Sequence, residues 1–295
     1  MKKIIIGICT YKRPKMLAVA LQGILNLKYP ISEKYEIEII IIDNDIEGTA
    51  KEVVENFAQD TIYPVHYHVE SQKGLSSVRN RLLQECYKLE ADFLAGCDDD
   101  DVVDINWLQE LLIAQNKHEA VAIAGPWFNS AGSTPNEYET ASKITFINTG
   151  NYLIDLSFVK KHQIIFNVKL NDQGCEDSDF SLSIAQYTDK IFWESKAIVR
   201  EQLNLKKQGF LYECKRAIAF SFNRRIIDIN NSNQSRLVLF FKYVSLWLWS
   251  LISLPIFFLT KMTFKEKLHS IAKYTVFVLV LLGCKSNFYK KVNGC

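Results

Sequence analysis

Along the first 125 residues, short apolar runs alternate with longer stretches whose apolar residues recur every three or four positions. The short runs are 4–9, 37–42, 65–69, 93–97 and 121–124. Their length and their nearly continuous apolar character predict strands, most of them buried on both faces. The longer stretches, 14–27, 49–59, 76–89 and 105–117, predict helices. Pro14 suits a first helical turn, where its missing N–H costs nothing. Strands alternating with helices make βαβ units and a mostly parallel sheet flanked by helices, an α/β fold of Rossmann-like type. Such a sheet gathers strand C-terminal ends on one edge, where open sheets bind ligands.

Beyond this region the pattern changes twice. Residues 128–201 are rich in Gly, Asn and Ser with short strand-like runs, as in an α+β insertion, and 212–229 reads as a helix carrying Lys215, Arg216, Arg224 and Arg225. The stretch 243–260 is an uncharged run of 18 residues, and 274–284 is a second apolar run of eleven. The first just reaches spanning length and the second falls short of it unless 268–270 join. Pro255 should kink the first. Arg236, Lys242, Lys261, Lys265, Lys267, Lys273, Lys285, Lys290 and Lys291 flank both runs, so charge gives no orientation. We expect two membrane-associated helices lying on a bilayer surface with snorkelling lysines; a spanning hairpin and a buried soluble hairpin are the alternatives. The expected domains are 1–235, with halves 1–125 and 126–235, and a tail of 236–295.

Composition sharpens this division. The 295 residues are 48% hydrophobic and 23% charged, which excludes disordered, collagen-like and coiled-coil classes. A formal net charge of +2 excludes a dedicated nucleic-acid binder, so no nucleic-acid partner is expected. A mean hydropathy of −0.03 excludes a polytopic membrane protein. The +2 is a sum of opposites: 236–295 hold nine basic residues and one acidic, net +8, while the rest holds 26 basic and 32 acidic, net −6. A basic apolar tail suits an anionic membrane surface. The seven cysteines are scattered without paired spacing and read as reduced, mostly buried thiols. The opening apolar run is too short for a secretory signal, so a first strand and a cytoplasmic start are expected.

The candidate chemistry sits at the predicted strand ends. Asp98, Asp99, Asp100 and Asp101 follow the fourth strand. Consecutive carboxylates repel and resist burial unless a cation offsets them, and hard oxygen ligands favour Mg2+ or Mn2+. A solvated acidic loop, or an N-cap for the helix beginning near Asp104, is the other reading. Asp43, Asn44 and Asp45 follow the second strand, where a carboxylate could accept a pyrimidine N–H or simply shape a turn. In Gly74–Asn80, Ser76 or Ser77 can cap a helix, and Arg79 could grip a diphosphate or ribose from its first turn. On spacing alone, a routine capped surface helix is the reading to favour. Glu176 and Asp177, with Asp179, stand at a loop-to-helix junction; they either stabilise the helix start or supply a general base near the metal site.

Eight stretches together carry a resemblance: 8–14, 43–45, 74–80, 98–101, Trp107 with Leu108, Gly125 with Pro126, 149–151 and 174–177. In this order they resemble family 2 glycosyltransferases of the GT-A fold, in the flavour of succinoglycan-type glucosyltransferases of bacterial exopolysaccharide assembly. The segment 193–201 matches that subgroup as well, and the resemblance covers about residues 3–225. It implies a nucleotide-sugar donor, usually a UDP-sugar, a Mg2+ or Mn2+ ion, and inversion at the anomeric carbon. It places Thr10 beside the nucleoside, Asp43 at the uracil ring and Arg79 on the uridine or diphosphate, with Tyr11, Arg13 and Asp45 also binding the donor. Asp98 and Asp99 lie near the ribose, Asp100 with Asp98 at the metal, and Asp177 is the general base with Glu176 as neighbour. A lipid-linked or oligosaccharide acceptor and the cytoplasmic face of a bacterial inner membrane follow from the same likeness. The subgroup often carries Arg after residue 201, where this chain offers Lys206 and Lys207, which cannot grip bidentately.

Two other classes were weighed. A sugar-phosphate nucleotidylyltransferase needs a Gly-rich loop after strand one, and 10–14 contain no glycine. A non-catalytic membrane-associated binding protein on the same scaffold would not need the intact carboxylates. P-loop and dinucleotide glycine patterns do not occur. The sugar and the acceptor would depend on 128–143 and on the basic helix near Arg216, neither of which carries a diagnostic motif.

Overall fold

A computed structural model describes residues 1–28, 35–128, 138–171, 174–202, 225, 229, 234–252 and 264–284, with the side chains of 264–270 set aside. The expected helix at 212–229, most of the 128–143 segment, Lys206, Lys207 and Pro255 lie outside the described residues. The chain divides into two compact units, Met1–Asn171 with Glu176–Lys206, and Asp172–Cys175 with Lys207–Cys295.

The first unit is built on a seven-stranded sheet. Its early strands are β1 (Lys2–Thr10), β2 (Tyr35–Asp43), β3 (Val65–Val69) and β4 (Phe93–Asp98). Three short strands complete it, β6 (Ala122–Ala124), β8 (Asn151–Asp155) and β9 (Ile191–Trp193), in the order β3-β2-β1-β4-β8-β6-β9. All neighbours pair in parallel except β8, which runs against both β4 and β6. The parallel α/β sheet expected from the pattern is therefore present, with one reversed strand that the pattern did not reveal. A second sheet joins β5 (Asp101–Val103), β10 (Val199–Glu201) and β7 (Trp127–Phe128).

The apolar runs are continuous because successive side chains enter different cores. Ile4, Ile6 and Ile8 of β1 pack with α1 (Pro14–Leu25), α2 (Lys51–Asp60) and α4 (Trp107–His118). Ile5 faces the opposite core, shared by α3 (Leu75–Lys88), α5 (Leu156–Lys161) and α6 (Glu176–Ala185). Each fully buried Ile contributes roughly 1.5–3 kcal/mol by leaving water. The exception is Glu38, buried in β2, which is paired with Lys3 at 2.7 Å and with His66 at 2.6 Å.

Neither Ser76 nor Ser77 caps α3. Its N-cap is Gly74, at φ +132°, and the Ser77 N–H donates to Asn171 Oδ1 at 3.0 Å. Asn171 lies so close that a Cβ at Gly74 would meet its side chain at 2.3 Å, so this helix start depends on glycine for both conformation and space. The expected thiols fit as well: of the five described cysteines, all free, Cys86, Cys97 and Cys175 are buried.

In the second unit, α7 (Arg236–Ile252) and α8 (Phe264–Leu281) pack side by side. Tyr243 stacks on Phe277 with centroids 3.7 Å apart, and Trp247 Nε1 donates to Thr275 Oγ1 at 2.9 Å. Leu237, Phe241, Leu248, Trp249 and Ile252 are left exposed. No helix among the described residues is long and apolar enough to cross a membrane.

Candidate active site

The register of the sheet assembles the site. Thr10 pairs with Asp43 across β1 and β2, and Cys9 pairs with Asp98 across β1 and β4. Three of the predicted strand ends therefore lie side by side. Asp98 ends β4, residues 99 and 100 form a tight turn, and Asp101 begins β5, so none of the four caps a helix. Asp104, further on, organises the start of α4: the Asn106 N–H donates to its Oδ1 at 3.1 Å.

The turn sorts the four carboxylates. Asp99 points inward, accepting from Thr10 Oγ1 at 2.7 Å and from Arg13 at 3.2 Å, and Arg13 reaches Asp100 at 3.2 Å as well. Burial pushes Asp99 up to about 6, with Asp100 adding to it and Arg13 and Thr10 opposing. The other three converge: one ligand oxygen each from Asp98, Asp100 and Asp101 lie within 4.8 Å of one another. Asp101 is the member that sequence reasoning did not single out. Its Oδ1 accepts from Trp127 Nε1 at 2.9 Å, while its Oδ2 is buried and has no hydrogen-bond partner among the described residues. Burial pushes Asp101 up to about 9, reinforced by Asp98 and Asp100. Clustered carboxylates with an unpartnered buried oxygen are a donor set suited to a hard divalent cation. Gly150 backs the cluster; a Cβ there would lie 3.0 Å from Asp98 Oδ2 and 3.1 Å from Asp101 Oδ2.

Asp43, expected at the base, is held in place by the chain around it. It is fully buried, and its oxygens accept from the Asp45 and Ala50 N–H groups and from the Tyr67 hydroxyl at 2.8 Å. Asp45 is similarly engaged, with Glu47 N–H and Thr49 Oγ1. Asn44, which sequence reasoning passed over, ties two segments together: its Nδ2 donates to the Glu70 and Gln72 carbonyls, and its Oδ1 accepts from the Gly74 N–H. The Tyr11 ring lies beside them with Lys12 and Lys73 against it at 5.6 and 5.0 Å.

The second acidic element comes from α6. Glu176 is buried and its Oε1 is held by Arg79 Nη1; Asp177 is more open, and its Oδ1 accepts from the Ser178 N–H at 2.7 Å. Burial raises Asp177 to about 7, with Glu176 adding to the shift and Arg79 opposing it. Behind the edge, Asn151 locks the scaffold, accepting from Trp107 Nε1 and donating to the Pro126 and Ala197 carbonyls.

The sequence profile described as Glycosyl transferase family 2 matches residues 5–175. The succinoglycan biosynthesis protein ExoM of Rhizobium meliloti (strain 1021) is 28% identical over 223 residues, covering 72% of this chain and 70% of its own length. Among solved structures, S. aureus TarS matches at TM-score 0.60 and 17% identity, over 82% of this chain and only 43% of the TarS chain. TarS 1–349 in complex with UDP-GlcNAc gives 0.58 at 16% identity, over 95% of this chain and 73% of that one. GalNAc-T7 with UDP, GalNAc and Mn2+ gives 0.58 at 15% identity, over 78% and 48% of the two chains. At these identities the structures share the fold.

Proposed function

Because the chain belongs to glycosyl transferase family 2, we propose that it moves a hexose from a UDP-sugar to a lipid-linked or oligosaccharide acceptor, inverting the anomeric centre, in cell-surface polysaccharide synthesis. The observation that carries this reading is the meeting of two acidic elements at one sheet edge, three clustered aspartates on the β4–β5 turn and Glu176–Asp177 on α6, bridged by Arg79. The naming of ExoM for succinoglycan synthesis and the UDP-GlcNAc complex of TarS support the substrate class.

Asp98, Asp100 and Asp101 would hold a Mg2+ or Mn2+ ion, which supplies Lewis-acid neutralisation of the diphosphate. Tyr11 offers the base a flat face, and Asp43 and Asp45 shape the turn beside it. Thr10 and Arg13 hold Asp99 inward, leaving the rest of the turn to the donor. Asp177 accepts the acceptor hydroxyl proton. That oxygen bonds to the anomeric carbon on the face opposite the diphosphate, which leaves with the electrons of the broken C–O bond. A base on α6, separate from the metal side, satisfies this geometry. In a thermal-shift panel with Mn2+, UDP-sugars should stabilise the protein more than GDP- or dTDP-sugars and be hydrolysed slowly; no shift with any of the three would overturn the reading.

The tail fits the cytoplasmic face of a bacterial inner membrane. Its exposed Phe241 and Trp249, each 64% accessible, and a net charge of +8 over 236–295 suit an anionic interface. The full chain should float with vesicles containing phosphatidylglycerol and lose most of that binding in 1 M salt or as F241E/W249E. Flotation unaffected by either change would contradict a surface-lying tail.

A further inference from the structure

The start of α3 is capped from elsewhere in the chain. Its N-cap, Gly74, has no side chain, so the Ser77 N–H in the first turn lacks the local acceptor that Ser, Asp or Asn would supply. Asn171 supplies it from 94 residues further on: its Oδ1 accepts from the Ser77 N–H at 3.0 Å, and its Nδ2 donates to Ser77 Oγ at 2.8 Å. One turn along α3, Asn80 makes the converse bridge. Its Oδ1 accepts from the Phe166 N–H and its Nδ2 donates to the Phe166 carbonyl, both at 2.8 Å. Two amides, one from each side, sew 166–171 to α3, and each uses its donor and its acceptor together.

The same segment holds α6. Phe166 is 1% exposed, and its ring lies flat on that of Phe180, with centroids 4.0 Å and planes 6° apart. Phe180 stands one turn beyond Asp177. The next residue completes the hold: Ser181 Oγ accepts from the Ile147 N–H at 3.0 Å and lies 2.6 Å from the Asp177 carbonyl oxygen.

We propose that Asn80 and Asn171 are positioning residues for the proton-accepting step. By fixing 166–171 on α3 they place Phe166, and Phe166 through Phe180 sets where the first turn of α6 holds Asp177. This rests on Asp177 being the general base. The two bridges respond in opposite ways to the same substitution. Asn171→Asp keeps an acceptor for the Ser77 N–H, and the Ser77 hydroxyl can turn its proton to the second carboxylate oxygen. A negative charge at a helix N-terminus is favourable besides. Asn80→Asp loses the donor and sets a carboxylate oxygen against the Phe166 carbonyl.

The test uses the full chain with Mn2+, a UDP-sugar and water as acceptor, and reads amide exchange by mass spectrometry beside turnover. Asn80→Asp and Asn171→Ala should speed exchange over 166–171 and 176–181 about tenfold and lower kcat by about 10–100-fold, with Kd for Mn2+–UDP within about twofold of the wild type. Asn171→Asp should stay near the wild type in all three. The decisive measurement is a cycle with Asp177→Asn. Acting through Asp177, Asn80→Asp should cost nothing further in that background. The same loss in both backgrounds would show a general loosening and overturn the proposal. So would wild-type kcat in Asn80→Asp, or Asn171→Asp behaving like Asn171→Ala. Should Asn80→Asp fail to fold, Asn171→Ala takes its place in the cycle. Were Asp177→Asn to keep its turnover, the base reading would fall; faster exchange in Asn80→Asp and Asn171→Ala would then place the failure in the base and not in the hold on α6.

Discussion

Asp177→Asn should lower the transfer rate by about 10³-fold while leaving Mn2+–UDP binding intact, since a positioned base contributes roughly 10²–10⁴. The residue lies on α6, apart from the Asp98, Asp100 and Asp101 cluster, so donor binding has no reason to follow it down. The same substitution has a second, opposite signature. In the unfolded chain an aspartate titrates near 4, whereas burial holds Asp177 at about 7 in the fold. Between those values the folded state binds a proton that the unfolded state has released. Stability therefore falls as pH rises from about 4 to about 7 and stays reduced above. Asparagine escapes that loss. The metal-free variant should match the wild type at pH 4, gain on it through pH 7 and hold a constant advantage beyond, of up to about 4 kcal/mol. A variant that keeps most of its turnover refutes the base; one that is catalytically dead and less stable at pH 8 refutes the buried-charge account.

Much of this was legible in the chain because burial on two faces leaves an unambiguous mark. Ile4–Ile6 and Ile39–Ile42 must be strands between two layers, since every one of them is buried. Once the sheet is parallel, the residues after each strand fall on one edge, and Thr10, Asp43 and Asp98 do. The reversed β8 left no such mark. Its five residues carry the same apolar code whichever way they run, and direction depends on pairing with β4 and β6. Side-chain destinations were also hidden. Four identical aspartates give no sign that a turn sends Asp99 toward Thr10 and Arg13 while Asp101 joins the cluster. Asp43 at a strand end gives no sign that the N–H groups of Asp45 and Ala50, with the hydroxyl of Tyr67 from β3, hold its oxygens. These contacts span from two to 89 residues of sequence. The gap in the reading lay in side-chain partners, near and far, rather than in the hydrophobic pattern.

That sorting of the aspartates leads to the second large effect, the response to metal. Three carboxylates with oxygens within 4.8 Å of one another cannot all be charged at low cost without a cation. Excess chelator should abolish transfer and Mg2+ or Mn2+ restore it; undiminished turnover in chelator would remove the metal from the reaction. At about a hundredfold over Kd, Mn2+ with UDP should stabilise the wild type by about 2.7 kcal/mol. For a domain of this size that is roughly 5–10 °C in Tm. Asp100→Asn and Asp101→Asn should each lose most of that rise. Asp101→Asn should also raise the Tm of the metal-free protein near pH 7, because the folded wild type must take up a proton at Asp101 that asparagine does not need. Asp99→Asn is the discriminating comparison, for Asp99 is turned to Thr10 and Arg13 and lies outside the cluster. It should keep the Mn2+-induced rise. If Asp99→Asn loses the rise while Asp101→Asn keeps it, the ligand set runs through the other face of the turn and the assignment of Asp101 falls.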